Sequence, residues 1–266
     1  MSDWLVLIAA VLAGSLLSLI GGIYLLYGKA GARKLQRIAV PFAAGALLAA
    51  AFLDLLPEAV ELGEARQVLM IALIGLILFF ILERSLSWFH HHHDDETHGS
   101  KRQNVSLIVI GDTLHNFIDG LAIGAAFLVD PAVGLVTTAA IAAHEIPQEI
   151  GDFGLLLAKG MNRRSVLLVN LVSALATLVG AVLIYGFGGQ IGISESFLLA
   201  LTAGFFIYIA ASDIIPTIHA EPMRRWANIQ TAVLIIGIIL VGFAANIAHE
   251  LVPHESSARA EYHHED

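Results

Sequence analysis

The 266-residue sequence contains no cysteine, which excludes a disulfide framework and a thiolate metal site. Charged residues are also scarce, at 14% of the chain, whereas soluble domains contain about a quarter. The formal net charge of −9 leaves no basic surface for a nucleic-acid partner. The chain has instead 57% hydrophobic residues and a mean hydropathy of +0.78. This composition excludes a disordered chain and an ordinary cytosolic enzyme, and it indicates a protein of the lipid bilayer.

Long apolar stretches occur eight times along the chain, each close to the roughly 20 residues that a helix needs to cross a bilayer. We number these stretches spans 1 to 8 and place them at Trp4–Leu26, Ile38–Leu56, Gln67–Trp88, Val105–Val129, Ala132–Ala158, Ser165–Phe187, Ser196–Ile218 and Ile229–Leu251. No alternating strand pattern competes with them. The sequence therefore predicts an all-α integral membrane protein with eight transmembrane helices, forming a single domain over residues 1–266.

The basic residues are distributed unevenly between the two sides of these spans. Twelve of the 14 Lys and Arg residues fall on one side: Lys29, Arg33, Lys34, Arg37, Arg84, Lys101, Arg102, Lys159, Arg163, Arg164, Arg224 and Arg225. Because basic residues favour the cytoplasmic side, both termini are predicted outside. The segment 89–104, between spans 3 and 4, is predicted to be a cytoplasmic loop. We expect the protein to be multi-pass in the cell (inner) membrane.

Spans 2 and 7 share a motif at a constant offset. Span 2 contains Gly45 and the motif DLLP that begins at Asp54, and span 7 contains Gly204 and the motif DIIP that begins at Asp213. Each pair is separated by 159 positions. The two spans run in opposite directions in the predicted topology, so the match indicates an inverted repeat. Such repeats are common in transporters, and this one predicts that spans 1–3 and 6–8 surround spans 4–5.

Acidic residues lie inside the spans, where charge is costly and usually marks an ion or proton path. They are Asp54, Asp112, Asp119, Glu145, Glu149, Asp152 and Asp213. Salt-bridged structural acids are the alternative interpretation, but no Lys or Arg lies at the same depth. An acidic interior that also contains histidine predicts a cationic passenger.

The densest polar cluster is divided between spans 4 and 5. Span 4 contains HNFIDG, in which His115 and Asp119 are four residues apart and share a helix face. Span 5 contains HEIPQE, in which His144 and Gln148 share a face in the same way. The short connection between these spans makes them antiparallel neighbours, so the two faces can meet. Imidazole, carboxylate and amide ligands suit zinc, iron, manganese or cobalt. A polar network that only holds helices together is the alternative.

These motifs carry a resemblance to a known family. HNFIDG followed by HEIPQEIGDFGLLL resembles the paired signatures of the ZIP (Zrt-, Irt-like) family of divalent metal transporters, in its bacterial form. The eight spans, the outside termini and the histidine-bearing loop resemble the family as well. The resemblance implies that zinc, or else iron or manganese, moves into the cytoplasm through a binuclear site between spans 4 and 5. It also implies that the protein is not an enzyme.

The resemblance also implies roles for individual residues. The first metal site would contain His115, Asp119, His144 and Gln148. The second would contain Asn116 and Glu145, with Gln148 able to bridge, and Glu149 is a further candidate ligand. Asp54 and Asp213 resemble acids of the transport pathway. Apart from the resemblance, Asp112 and Asp152 flank the motif on the predicted cytoplasmic side and could guide release of the ion. The closest subgroup has HEIPHE where this chain has HEIPQE, so the amide at position 148 affects the expected metal preference.

The loop between spans 3 and 4 is a second candidate metal-binding region. It contains His90, His91, His92, His93 and His98 beside several acids. A flexible histidine-rich tract of this kind can bind metal that leaves the transporter, and the alternative is an acidic loop with no metal role.

Three other functions compete with a transporter. The first is an intramembrane zinc metallohydrolase, because His144 and Glu145 begin an HExxH pattern, but that pattern needs histidine at position 148, where Gln148 stands. The second is a cation channel, but the inverted repeat favours a carrier. The third is a metal-sensing receptor, but no signalling domain follows the spans. A homodimer is one assembly that the sequence leaves open.

Overall fold

The computed structural model describes residues 3–27, 29–91 and 100–251, and these ranges contain helices and short turns but no strand. The helices are α1 (Asp3–Tyr27), α2 (Lys29–Ala50), α3 (Leu56–Leu62), α4 (Ala65–His91), α5 (Ser100–Val129), α6 (Pro131–Ala158), α7 (Arg163–Ile191), α8 (Glu195–Tyr208), α9 (Ile215–His219) and α10 (Arg224–Leu251). Two short π-helical segments, Ala51–Leu55 and Ile209–Ile214, join α2 to α3 and α8 to α9.

Six helical stretches in the described residues are long and apolar enough to cross a membrane. They are Asp3–Tyr24, Arg37–Leu62, Ala65–Ser85, Arg163–Gly188, Glu195–Ser212 and Arg224–Ile247. This confirms the prediction of an all-helical membrane protein. The remaining long helices, α5 and α6, are the fourth and fifth predicted spans and carry the polar cluster. The count of eight transmembrane helices stays a prediction.

The cytoplasmic loop predicted at 89–104 stays a prediction, and helices extend into its range from both sides. The structure continues α4 to His91 and begins α5 at Ser100, so helix occupies parts of the predicted 89–104 loop. The polar sequence of this region hid the helical ends because hydropathy detects burial in lipid rather than backbone conformation. Residues 92–99 lie outside the described part of the chain.

The helices pack in two groups. Helices α1, α5, α6 and α7 contact one another. In the other group α2 packs against α10 and α8, and α8 packs against α4, while α2 and α10 contact α6 and α8 contacts α5 across the two groups. Spans 4 and 5 therefore lie in one group and the two members of the repeated motif lie in the other.

The repeat predicted from the sequence is visible in local structure. In the first π-helical segment the Leu56 N–H donates to the Ala51 carbonyl, and in the second the Ile215 N–H donates to the Ala210 carbonyl. Both pairs fit the 159-residue offset between the two motifs. In each case proline follows, at Pro57 or Pro216, and a proline ring cannot donate and crowds the carbonyl four residues earlier. A widened turn relieves that crowding.

The repeated glycines make equivalent contacts. A Cβ atom on Gly45 would collide with the Leu234 carbonyl oxygen on α10, and a Cβ atom on Gly204 would collide with the Ala72 carbonyl oxygen on α4. Both glycines thus let two helix backbones touch. The contact between α2 and α10 therefore recurs between α8 and α4, as a two-fold repeat requires.

Candidate metal centre

The short connection between α5 and α6 positions the two helices that carry the candidate metal centre. Asp130 lies between them and its side chain accepts a hydrogen bond of 2.6 Å from the Ala132 N–H, which caps α6. Pro131 occupies the first turn of α6, where its missing N–H has no cost. The connection is short, so the two helices run antiparallel in contact. Their polar clusters meet at one level, as the sequence predicts.

Four side chains converge between these helices. They are His115 and Asp119 on α5, and His144 and Glu145 on α6, and one ligand atom from each lies within 4.8 Å of all the others. We call this group the cage. His144 Nε2 lies 3.2 Å from Asp119 Oδ2 and 3.3 Å from His115 Nε2. His115 Nε2 lies 3.6 Å from Asp119 Oδ2 and 3.7 Å from Glu145 Oε1.

These separations match those between ligands of one metal ion. Zinc bonds of 2.0–2.1 Å in a tetrahedron place neighbouring ligand atoms roughly 3.3 Å apart. The contacts that the two imidazole nitrogens make within the cage range from 3.2 Å to 4.0 Å, and all four ligand atoms lie within 4.8 Å of one another. The geometry therefore suits a single small divalent cation without a large rearrangement.

Burial makes a cation favourable at this point. Asp119 and His144 are each 3% exposed and Glu145 is 5% exposed. The Glu145 Oε1 atom has no hydrogen-bond partner in the described residues. Two carboxylates packed together away from water repel each other and lack solvation. A divalent cation would compensate both charges.

The other three predicted ligands have surroundings of their own. Asn116 is buried, and its amide bonds to Asp112 and Thr177. Gln148 lies one turn beyond His144 on α6 and lines a cavity that His115 of the cage also lines. Glu149 is 1% exposed, and neither of its carboxylate oxygens has a hydrogen-bond partner among the described residues. The cage thus contains four of the seven predicted ligands.

A cavity of about 250 Å³ adjoins the cage. Its polar lining includes His115 and Gln148 together with the predicted pathway acids Asp112 and Asp152. The sequence interpretation missed another acid of this lining, Glu83 on α4. A lone glutamate near the end of an apolar span was the available signal, but it belongs to no motif. Only the packing of α4 against α5 brings it to the cavity.

The remaining candidates lie away from the cage. Asp54 is buried in the first π-helical segment, and Asp213 lies in the second. His90 and His91 are the last residues of α4. His92, His93 and His98 lie outside the described residues, so metal binding by the loop stays a prediction.

A buried cage of nitrogen and oxygen ligands inside a bundle of membrane-spanning helices defines a membrane protein with a metal centre. The family model described as ZIP zinc transporter matches residues 2–106 and 90–248. The chain belongs to the ZIP zinc transporter family, which confirms the resemblance found in its motifs.

Characterised relatives agree with this assignment. Zinc transporter ZIP13 of Pongo abelii is 33% identical over 232 residues, which cover 82% of this chain and 68% of that protein. Zinc transporter ZIP4 of Mus musculus is 42% identical over 122 residues, covering 45% of this chain and 18% of the relative. Zinc transporter foi of Drosophila melanogaster is 41% identical over 115 residues, covering 43% and 16% respectively. All three are named transporters and not enzymes, so the metallohydrolase alternative is not favoured.

Proposed function

We propose that this protein transports divalent transition-metal ions, zinc foremost, across the membrane into the cytoplasm. The observation that carries the proposal is the cage, whose four ligand atoms lie within 4.8 Å of one another on two adjacent buried helices. Two imidazoles and two carboxylates bind zinc well, and they also accept iron and manganese. Membership of a zinc transporter family supports zinc as the main substrate.

The pathway extends from the cage on both sides. We assign the large cavity to the cytoplasmic side, where Asp112 and Asp152 would receive the ion after it leaves the cage. Asp54 and Asp213 would bind the ion at other stages of its passage. Asn116, Glu145 and Gln148 would form a second ion position beside the first, with Glu149 near it, which makes the site binuclear.

The proposed orientation follows from the distribution of basic residues. Both termini would lie outside, and the histidine-rich loop would lie in the cytoplasm of a cell whose inner membrane holds the protein. A homodimer in the bilayer is the assembly we propose to examine first by cross-linking.

Purified protein in proteoliposomes tests the proposed function directly. Vesicles that contain the full chain are expected to accumulate zinc faster than vesicles without protein, with iron and manganese as competitors. The measurement is the fluorescence of a zinc indicator trapped inside the vesicles. Uptake equal to that of empty vesicles, in a preparation that is folded and monodisperse, would refute the proposal.

Gln148 gives a prediction about metal preference. Replacing it by His is expected to raise the ratio of zinc to manganese uptake, because imidazole binds zinc better than an amide oxygen does, whereas oxygen ligands suit manganese. The variant should also become more sensitive to acid between about pH 5 and 8, the range in which histidine gains its proton. Competition uptake from equimolar zinc and manganese measures the ratio. Gln148→Asn is the control, because it changes the side chain but keeps an amide. An unchanged ratio of zinc to manganese uptake in Gln148→His would show that position 148 does not select the metal.

A further inference from the structure

The Asn116 amide is held on both sides by hydrogen bonds. Its Nδ2 atom donates to the Asp112 main-chain carbonyl at 3.1 Å and to Asp112 Oδ1 at 3.0 Å. A main-chain carbonyl can only accept, so the nitrogen must be on this side, where it also lies 3.4 Å from Ser173 Oγ on α7, and the amide oxygen must turn towards Thr177. There, the Thr177 hydroxyl donates to Asn116 Oδ1 at 2.9 Å. The Asn116 side-chain oxygen, which would be a ligand of the second ion, therefore already accepts a hydrogen bond.

A small cavity lies beside this bond. It measures about 10 Å³, and its lining includes Asn116, Glu145 and Thr177. This volume is close to the least that holds one water-sized particle. The two residues that resemble ligands of a second ion therefore face one space of ionic dimensions, and Thr177 borders the same space.

The other hydroxyls around the cavity favour a cation. Ser18 donates to the Ser15 carbonyl at 2.9 Å, and Thr138 donates to the Gly134 carbonyl at 2.7 Å. Both residues line the cavity. Because each hydroxyl hydrogen is used within its own helix, the oxygen can offer only lone pairs to a neighbour. Together with the Glu145 carboxylate, these lone pairs suit a positive ion and not an anion.

We propose that Thr177 is a positioning residue that weakens the binding of a second divalent cation at Asn116 and Glu145. The inference rests on the proposed function and concerns the regulation of the same site. The hydroxyl occupies one lone pair of the Asn116 oxygen and draws electron density from it, so it competes with the ion. The Thr177 hydroxyl donates to Asn116, which we assign to the second ion and not to the first, so we expect the binding of the first ion to be unchanged. The site thus fills in two steps, and the second ion enters only at higher metal concentration.

Removal of the hydroxyl tests the proposal. In Thr177→Val, the weaker step of zinc binding is expected to become about fivefold tighter, the equivalent of one net hydrogen bond, while the stronger step stays the same. Thr177→Ser keeps the hydroxyl and should bind as the wild type does. Calorimetric titration of the purified full chain with zinc measures both steps. Thr202→Val, a change at another buried threonine on α8, is the matched control.

Two further variants make the result specific. Thr177→Ala lacks the hydroxyl without the added methyl group of valine, so it should show the same gain if the valine variant folds poorly. Adding Asn116→Ala to Thr177→Val should remove the gain, although the histidines of the loop, another predicted zinc-binding region, are unchanged. An unchanged or weaker second step in Thr177→Val and Thr177→Ala would overturn the inference. A wild type that neither binds zinc at the stronger step nor transports it would refute the proposed function instead.

Discussion

Zinc uptake is expected to fall by about two orders of magnitude or more when His144 is replaced by Ala, because loss of even an outer-shell partner costs a metal site tenfold or more. His144 Nε2 lies 3.2 Å from Asp119 Oδ2 and 3.3 Å from His115 Nε2. Its loss removes the ligand that contacts both cage residues of α5. The two carboxylates then face each other with one imidazole between them, and the first ion loses a nitrogen ligand that favours zinc.

The measurement for this variant is the initial rate of zinc uptake into proteoliposomes, normalised to protein that elutes as a single folded species. His219→Ala is the control, because His219 is exposed on α9 and outside the cage. It should transport zinc at the wild-type rate. Normal uptake by folded His144→Ala would show that the ion does not pass through the cage.

Thermal stability is expected to fall sharply when Gly120 is replaced by Ala. A Cβ atom at Gly120 would overlap the Thr177 carbonyl oxygen, where the backbones of α5 and α7 touch. A main-chain atom cannot rotate away as a side chain can, so the helices must separate. Overpacking of this kind costs about 1–3 kcal/mol, and the separation would also displace Asn116 and Asp119 on the same helix. Unfolding monitored by intrinsic fluorescence in detergent provides the midpoint.

Gly111 on the same helix supplies the matched control for this prediction. A Cβ atom there would meet nothing within 4 Å, so Gly111→Ala adds the same methyl group without a collision. It is expected to keep or raise the unfolding midpoint, since alanine favours a helix over glycine by about 1 kcal/mol. Equal midpoints for the two variants would contradict the close approach of α5 and α7. The GxxxG pattern from Gly120 to Gly124 would then have no packing role.

The sequence interpretation succeeded for residues whose type and spacing have one dominant physical explanation. Buried acids without basic partners predicted a cation path, and the four-residue spacing of His115 and Asp119 placed both side chains on one helix face. The convergence of these residues with His144 and Glu145 follows from the antiparallel contact of two neighbouring spans. In the structure these four residues form the cage, which brings Glu145, assigned to the second site by resemblance, together with three residues of the first site.

The sequence interpretation could not place residues whose role depends on other helices. The resemblance assigns Asn116 to the second site, but the sequence could not show that its amide bonds to Asp112 and to Thr177 on α7. Glu83 belongs to no motif and reaches the cavity only because α4 packs beside α5. Spacing along one helix defines a face, but it does not define which neighbour that face meets.

Composition, hydropathy and short motifs by themselves determined that this is a helical membrane protein of a metal-transporting family. Burial in lipid demands long apolar helices, and ligand chemistry demands imidazole and carboxylate at helical spacing. Only the tertiary structure decided which four side chains form one cage and that the Asn116 amide is hydrogen-bonded to Thr177. Those choices depend on distances of a few tenths of an ångström between helices. Backbone contacts at glycines such as Gly120 set these distances. The pattern of residues along a single helix does not predict which backbone each glycine contacts.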